Sequence, residues 1–154
     1  MITADDIIRI LNLQKHPTEG GYFLETYRSK NATAIYYMIT DEADSFSEMH
    51  QLSKDEIFHF YLGDPVEMLH LYPDGTGKRM LLGTHLNAGM QPQVLIPAGV
   101  WQGARLLSGG KFALMGTTMA PGFAYSDYQS ASQKVLTARY PEFKELIITL
   151  TRNP

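Results

Sequence analysis

The chain has 154 residues, a length that fits a single domain burying roughly 68–70% of its unfolded surface. Its 13 basic and 16 acidic residues give a net charge of −3 with no basic cluster, which argues against a nucleic-acid footprint. There is no cysteine, so disulfides and thiolate sites are excluded and any metal must sit on His, Asp or Glu. The start MITADDIIRILNLQK lacks the basic-then-apolar pattern of a secretory signal, and no apolar run approaches the roughly 20 residues that cross a bilayer. The expectation is a soluble, cytoplasmic protein, one domain over residues 1–154, with neither a nucleic-acid nor a membrane partner.

Thr3 to Leu13 reads as a helix: Thr3 can cap it, Asp6 holds the capping-box position, and Ile7, Ile8, Ile10 and Leu11 form an apolar face. The Pro and paired Gly of His16-Pro17-Thr18-Glu19-Gly20-Gly21 break regular structure, and His16 and Glu19 are candidates for a lid or a fixed turn. Tyr22 to Arg28 and Ala32 to Thr40 have the β-branched and aromatic content of strands. Further strands are expected at Phe46 to Leu52, Glu56 to Leu62, Val66 to Tyr72, Lys78 to Leu82, Gln93 to Ile96, Trp101 to Leu106 and Phe112 to Met119, punctuated by Gly-Pro-Asp turns. After Pro121-Gly122-Phe123, Ser132 to Tyr140 and Pro141 to Leu150 read as helices. Regular short strands between helical ends indicate an all-β sandwich or barrel.

The chemistry concentrates in SEMHQLSKDEIFHFYLG, from Ser47 to Gly63. Period-2 alternation puts Glu56, Phe58 and Phe60 on one face and Ile57, His59 and Tyr61 on the other. A Glu beside Phe58 and Phe60 in a barrel interior has its pKa raised by desolvation, which suits a general acid or base near neutral pH. Glu56 is therefore a candidate acid or base, to which motif spacing adds His50 as its candidate catalytic partner and Gln102 as a ligand contact, while His59, Tyr37 and Trp101 are further candidate ligand contacts and Arg28 and Arg105 candidate anchors for an anionic group. His70 reads as a satisfied core histidine, and the eight Met as packing.

Glu56, six residues, Gly63 has the spacing of the first cupin motif, in which His50 takes the first His position and Leu52 stands where the second His belongs. Pro97-Ala98-Gly99 matches the Pro-x-Gly of the second motif, with Gln102 in the place of its final His. Together with HPTEGGYFLETYRS, TAIYYMIT, SKDEIFHFYLGDP, LIPAGVWQGA and MAPGFAYSDY, these make a chain that resembles the small cupin 5 family, domain of unknown function 985, along nearly its whole length. The resemblance implies a double-stranded β-helix, or jelly-roll, barrel with the terminal helices packed outside, commonly dimeric and related to sugar-nucleotide epimerases. Early strands rich in Tyr and Ile also point to a homodimer, since exposed strands invite pairing.

A metal cupin offers three His and one Glu, and only His50 and Glu56 would remain as strong ligands here, with His59 as a third if its strand bulges. No cofactor is expected on that basis, and a divalent metal is the weaker alternative. The function expected is binding of a polar or anionic carbohydrate-like small molecule in the barrel, as a sugar or sugar-nucleotide isomerase or epimerase. A non-catalytic binder and a metal-dependent cupin enzyme are the alternatives.

Overall fold

The computed structural model describes residues 1–154. Helix α1 (Ala4–Leu11) opens on the expected capping box: the Asp6 N–H donates to Thr3 Oγ1 at 3.2 Å, and the Thr3 N–H donates to Asp6 Oδ2 at 3.1 Å. Eleven strands follow: β1 (Gln14–Lys15), β2 (Tyr22–Arg28), β3 (Thr33–Thr40), β4 (Ser47–Leu52), β5 (Glu56–Gly63), β6 (Val66–Leu71), β7 (Gly77–Leu82), β8 (Gln93–Ile96), β9 (Trp101–Leu106), β10 (Phe112–Met119) and β11 (Tyr128–Ser130). Helices α2 (Gln133–Arg139) and α3 (Lys144–Thr149) end the chain, joined by a 3-10 turn that Pro141 opens. Two strands were not expected from sequence, β1 and β11, both too short to carry a period-2 pattern.

The strands form two antiparallel sheets in a jelly-roll sandwich, ordered β1-β2-β3-β10-β5-β8 and β11-β4-β9-β6-β7. Alternation along each strand decides what each sheet buries. Tyr37, Phe58 and Met115 of the first sheet meet Val66, Met68 and Ala104 of the second in the main core. Each of the fully buried Phe, Met and Val side chains among them stabilises the fold by about 1.5–3 kcal/mol. The outer face of the second sheet, with Met49, Leu69 and Leu71, packs on α2 and α3 through Leu136, Leu146 and Ile147. The outer face of the first, with Tyr22, Met38 and Leu114, packs on Ile7 of α1. The helices therefore cover the sandwich from outside, and no helix is long and apolar enough to cross a membrane.

Candidate active site

The inner row of the second sheet runs across three strands, with His50 of β4 opposite Gln102 of β9 and Gln102 opposite His70 of β6. Facing it, Glu56 of β5 lies opposite Met119 of β10, which lies opposite Thr33 of β3. The sheets meet where the Gln102 side-chain amide donates to Glu56 Oε1 at 3.0 Å. The loop before β2 then adds Glu19, whose Oε1 stands 3.0 Å from His50 Nε2. His50, Glu56 and Glu19 are all buried, at 1%, 7% and 7% exposure.

The hydrogen bonds of His50 set its charge. Nδ1 lies 2.6 Å from the Glu48 carbonyl oxygen and Nε2 beside the Glu19 carboxylate, and both neighbours only accept, so both ring nitrogens carry protons. Burial alone would strip one of them, but Glu19, with Glu56 behind it, outweighs burial and lifts the ring to about 9. Burial also opposes ionisation of Glu19, yet the charge and hydrogen bond of His50 hold its pKa below the ordinary carboxylate value. Glu56 goes the other way: burial and the neighbouring Glu19 charge raise it to about 7, against the pull of His50 and Gln102.

Four side chains support this arrangement. The Tyr128 ring stacks on His50, centroids 4.8 Å apart and planes 13° from parallel, while its hydroxyl donates to Glu48 Oε1 at 2.8 Å. The Ser130 hydroxyl donates to the same oxygen at 2.6 Å, so β11 fixes the ring plane of His50. The loop carrying Glu19 is tied down by the Tyr37 hydroxyl, which donates to the Gly20 carbonyl at 2.7 Å. His16 Nδ1 accepts from the Glu19 N–H at 3.0 Å and the Thr18 N–H at 3.3 Å, which makes this imidazole a neutral one with its proton on Nε2. Gly20 and Gly21 both have positive φ, and a Cβ on either would collide with a backbone carbonyl, Phe46 or Met38, so the paired glycines are required for this close approach.

A cavity of about 90 Å³ opens between the sheets, with Glu19, His50 and Glu56 in its wall, Thr117 and Met119 beside them, and Tyr128 at one side. Arg28 lies at its rim, paired bidentately with Glu25 at 2.7 and 2.9 Å and donating to the Phe123 carbonyl at 2.9 Å. Of the residues singled out from sequence, His50, Glu56 and Gln102 are thus brought together and Arg28 reaches the entrance. Tyr37 is fully buried in the main core against Phe58, and serves the site through its hydroxyl rather than as a wall. Trp101 packs on the helices beyond the outer face of the second sheet, because its neighbour Gln102 faces in. His59 lies on the opposite face of β5 from Glu56, beside Thr118 and Gln93. Arg105 pairs with Glu67 at 2.9 Å, away from the cavity.

No divalent-metal site is formed by the residues as they stand. Both His50 nitrogens are committed as donors, Leu52 and Gln102 stand at two ligand positions of a metal cupin, and no group of three or more His, Asp or Glu is placed to hold an ion. Glu48 and Tyr128 were not found from sequence, and the pairing of Glu19 with His50 was not foreseen. Tyr128 sits in the motif MAPGFAYSDY, which drew notice only as part of the resemblance.

The family model described as "Cupin superfamily (DUF985)" matches residues 5–131. Protein SO0799 from Shewanella oneidensis is similar over 100% of both chains at 33% identity with a TM-score of 0.90. A hypothetical protein from Leishmania major is similar over 97% of this chain and 99% of its own at 28% identity, TM-score 0.88. Oxalate decarboxylase from Bacillus subtilis shares the fold at 15% identity and TM-score 0.60, over 94% of this chain and 38% of that one. Comparison with curated proteins returns no match. The chain belongs to the DUF985 family of the cupin superfamily.

Proposed function

We propose that this cupin binds a small, polar, carbohydrate-like molecule between its sheets and moves a proton beside a carbonyl group, as an isomerase or epimerase does. The observation that carries the reading is the placement of Glu56, lifted to about 7, in the wall of the cavity between the sheets, beside a buried imidazolium. A carboxyl group that is half ionised at neutral pH is matched to both removing and returning a proton. His50 is not the base in this arrangement, since neither nitrogen has a lone pair to offer; its fixed positive charge stabilises the oxyanion that forms when the proton leaves. Glu19 keeps that charge in place. Arg28, already paired with Glu25, offers an anionic substituent a contact at the rim only by exchanging that partner.

The test is proton exchange. A panel of aldoses, ketoses and their phosphates, incubated in D2O, should show deuterium entering beside the carbonyl of at least one member with the wild-type protein. Glu56→Gln keeps the shape of the site and should lower that rate at least ~100-fold. Ligand binding without any exchange in the wild type would make the protein a non-catalytic binder.

We also propose that the protein assembles as a homodimer through the outer face of the first sheet. There Ile2, Ile10, Tyr36, Tyr61, Leu62 and Leu114 line an apolar cleft of about 430 Å³. Light scattering at micromolar concentration should give twice the chain mass, and a monomer would contradict this.

A further inference from the structure

Arg152 lies outside the matched segment, beyond α3, yet its side chain reaches both arms that hold His50. Nη1 donates to the Glu19 carbonyl at 2.8 Å, and Nη2 donates to the carbonyls of Asp44 at 2.6 Å and Phe46 at 3.1 Å. The Glu19 carbonyl also accepts the Glu48 N–H at 3.0 Å, so the loop and β4 are stitched together at the point where Arg152 binds. The guanidinium sits 3.8 Å from the centroid of the Phe46 ring and 3.7 Å from Glu48 Oε2, the oxygen not used by Tyr128 and Ser130. A side chain on Gly20 would occupy the place of this guanidinium. The tail that presents it is itself docked: the Met49 N–H donates to the Leu150 carbonyl at 2.7 Å and the Gln133 N–H to the Asn153 carbonyl at 3.0 Å.

We propose that Arg152 is a positioning residue for the site, a clasp from outside the sandwich that seats the Glu19 loop and the Glu48–Tyr128 support on either side of His50. Its planar fork of donors is what lets one side chain span three carbonyls, and a lysine ammonium lacks that geometry. The groups around the imidazolium are Glu19 and His16 from the loop, Glu48 from β4, Glu56 from β5 and Tyr128 from β11; Arg152 touches the loop and Glu48 without touching the ring. The clasp deepens the reading that the Glu19–His50 pair belongs to a proton-transfer site, and rests on it.

The experiment uses the full chain uniformly labelled with 15N. The His50 Nε2–H, hydrogen-bonded to Glu19 and shielded from solvent, should give a protected downfield proton signal at pH 7, assigned with His50→Asn. In Arg152→Ala that signal should vanish and exchange of the Glu48 amide should accelerate at least ~10-fold, as a lost hydrogen-bonded seat requires. Arg152→Lys, the variant to read if the alanine form does not fold, should weaken the signal without restoring the wild-type exchange rate. Arg139→Ala, which cuts a different tie of the C-terminal helices, at the Pro73 carbonyl, should leave both readouts unchanged. An unaltered signal and exchange rate in folded Arg152 variants, or equal losses in Arg139→Ala, would overturn the clasp alone. A wild type with no such signal would overturn the ion pair, and the clasp with it.

Discussion

Two buried histidines stand one strand to either side of Gln102, and the molecule treats them oppositely. His50, on the β4 side, has an acceptor at each nitrogen, a stacked ring and a pKa lifted to about 9. His70, on the β6 side, is 1% exposed with no partner at Nε2, and burial together with Lys78 pushes it down to about 4. Residue type and sheet row are the same, so the difference comes from what the surrounding chain supplies. On one side a loop brings in the Glu19 carboxylate and a short strand the stacked Tyr128 ring, and on the other they do not. Expecting a satisfied core histidine at position 70 was therefore right about burial and wrong about satisfaction.

The contrast breaks most completely if the counter-charge is removed. Glu19→Gln leaves a buried imidazolium without its partner, and should cost about 3 kcal/mol in urea denaturation at pH 7. By histidine NMR the His50 midpoint should drop from about 9 towards the ordinary value of 6.5, while His70 stays put.

The pH dependence of stability sharpens the comparison. His50 has a folded pKa raised from 6.5 to about 9, so its contribution is complete below about 6.5 and is lost as pH rises through 9. Glu56, raised from 4.5 to about 7, loses its contribution as pH rises from 4.5 through 7. His70, lowered from 6.5 to about 4, acts the other way, its contribution being lost as pH falls from 6.5 to 4. Glu56 and His70 offset each other between about 4.5 and 6.5, and above 7 the loss from His50 stands alone with a slope approaching ~1.4 kcal/mol per pH unit. His50→Asn should flatten that alkaline limb. His70→Leu should stabilise the protein by ~1–2 kcal/mol at pH 5, because an unpartnered buried imidazole is replaced by an apolar side chain.

The smallest effect belongs to the other face of β5. His59→Ala should change stability by less than ~1 kcal/mol and leave the His50 and His70 midpoints unmoved, since His59 bonds only Thr118 and Gln93 near the surface. A shift at His50 in that variant would show coupling across the sheet.

Much of the fold was legible because alternation and turn residues act locally. Nine strands, the capping box of α1 and the helical ends could be read from sequence, and so could the opposition of Glu56 and His59 across β5. Parity also bears on a reading made too loosely: Trp101 and Gln102 are neighbours on one strand and cannot both face inward, so the Trp went to the helices. The charge state of His50 was not legible. It depends on Glu19, 31 residues earlier on a loop without periodicity, while the ring plane depends on Tyr128 from a three-residue strand formed only by pairing with β4. Arg152 lies further still from any motif that could have marked it.

The central claim is that Glu56 carries a proton that it can give and take near neutral pH. Difference infrared spectroscopy of the wild type against Glu56→Gln, titrated from pH 4 to 10, reads that carboxyl directly through its protonated C=O band. The band should be present in acid and disappear with a midpoint near 7. A midpoint below ~5, in the ordinary carboxylate range, would contradict the account.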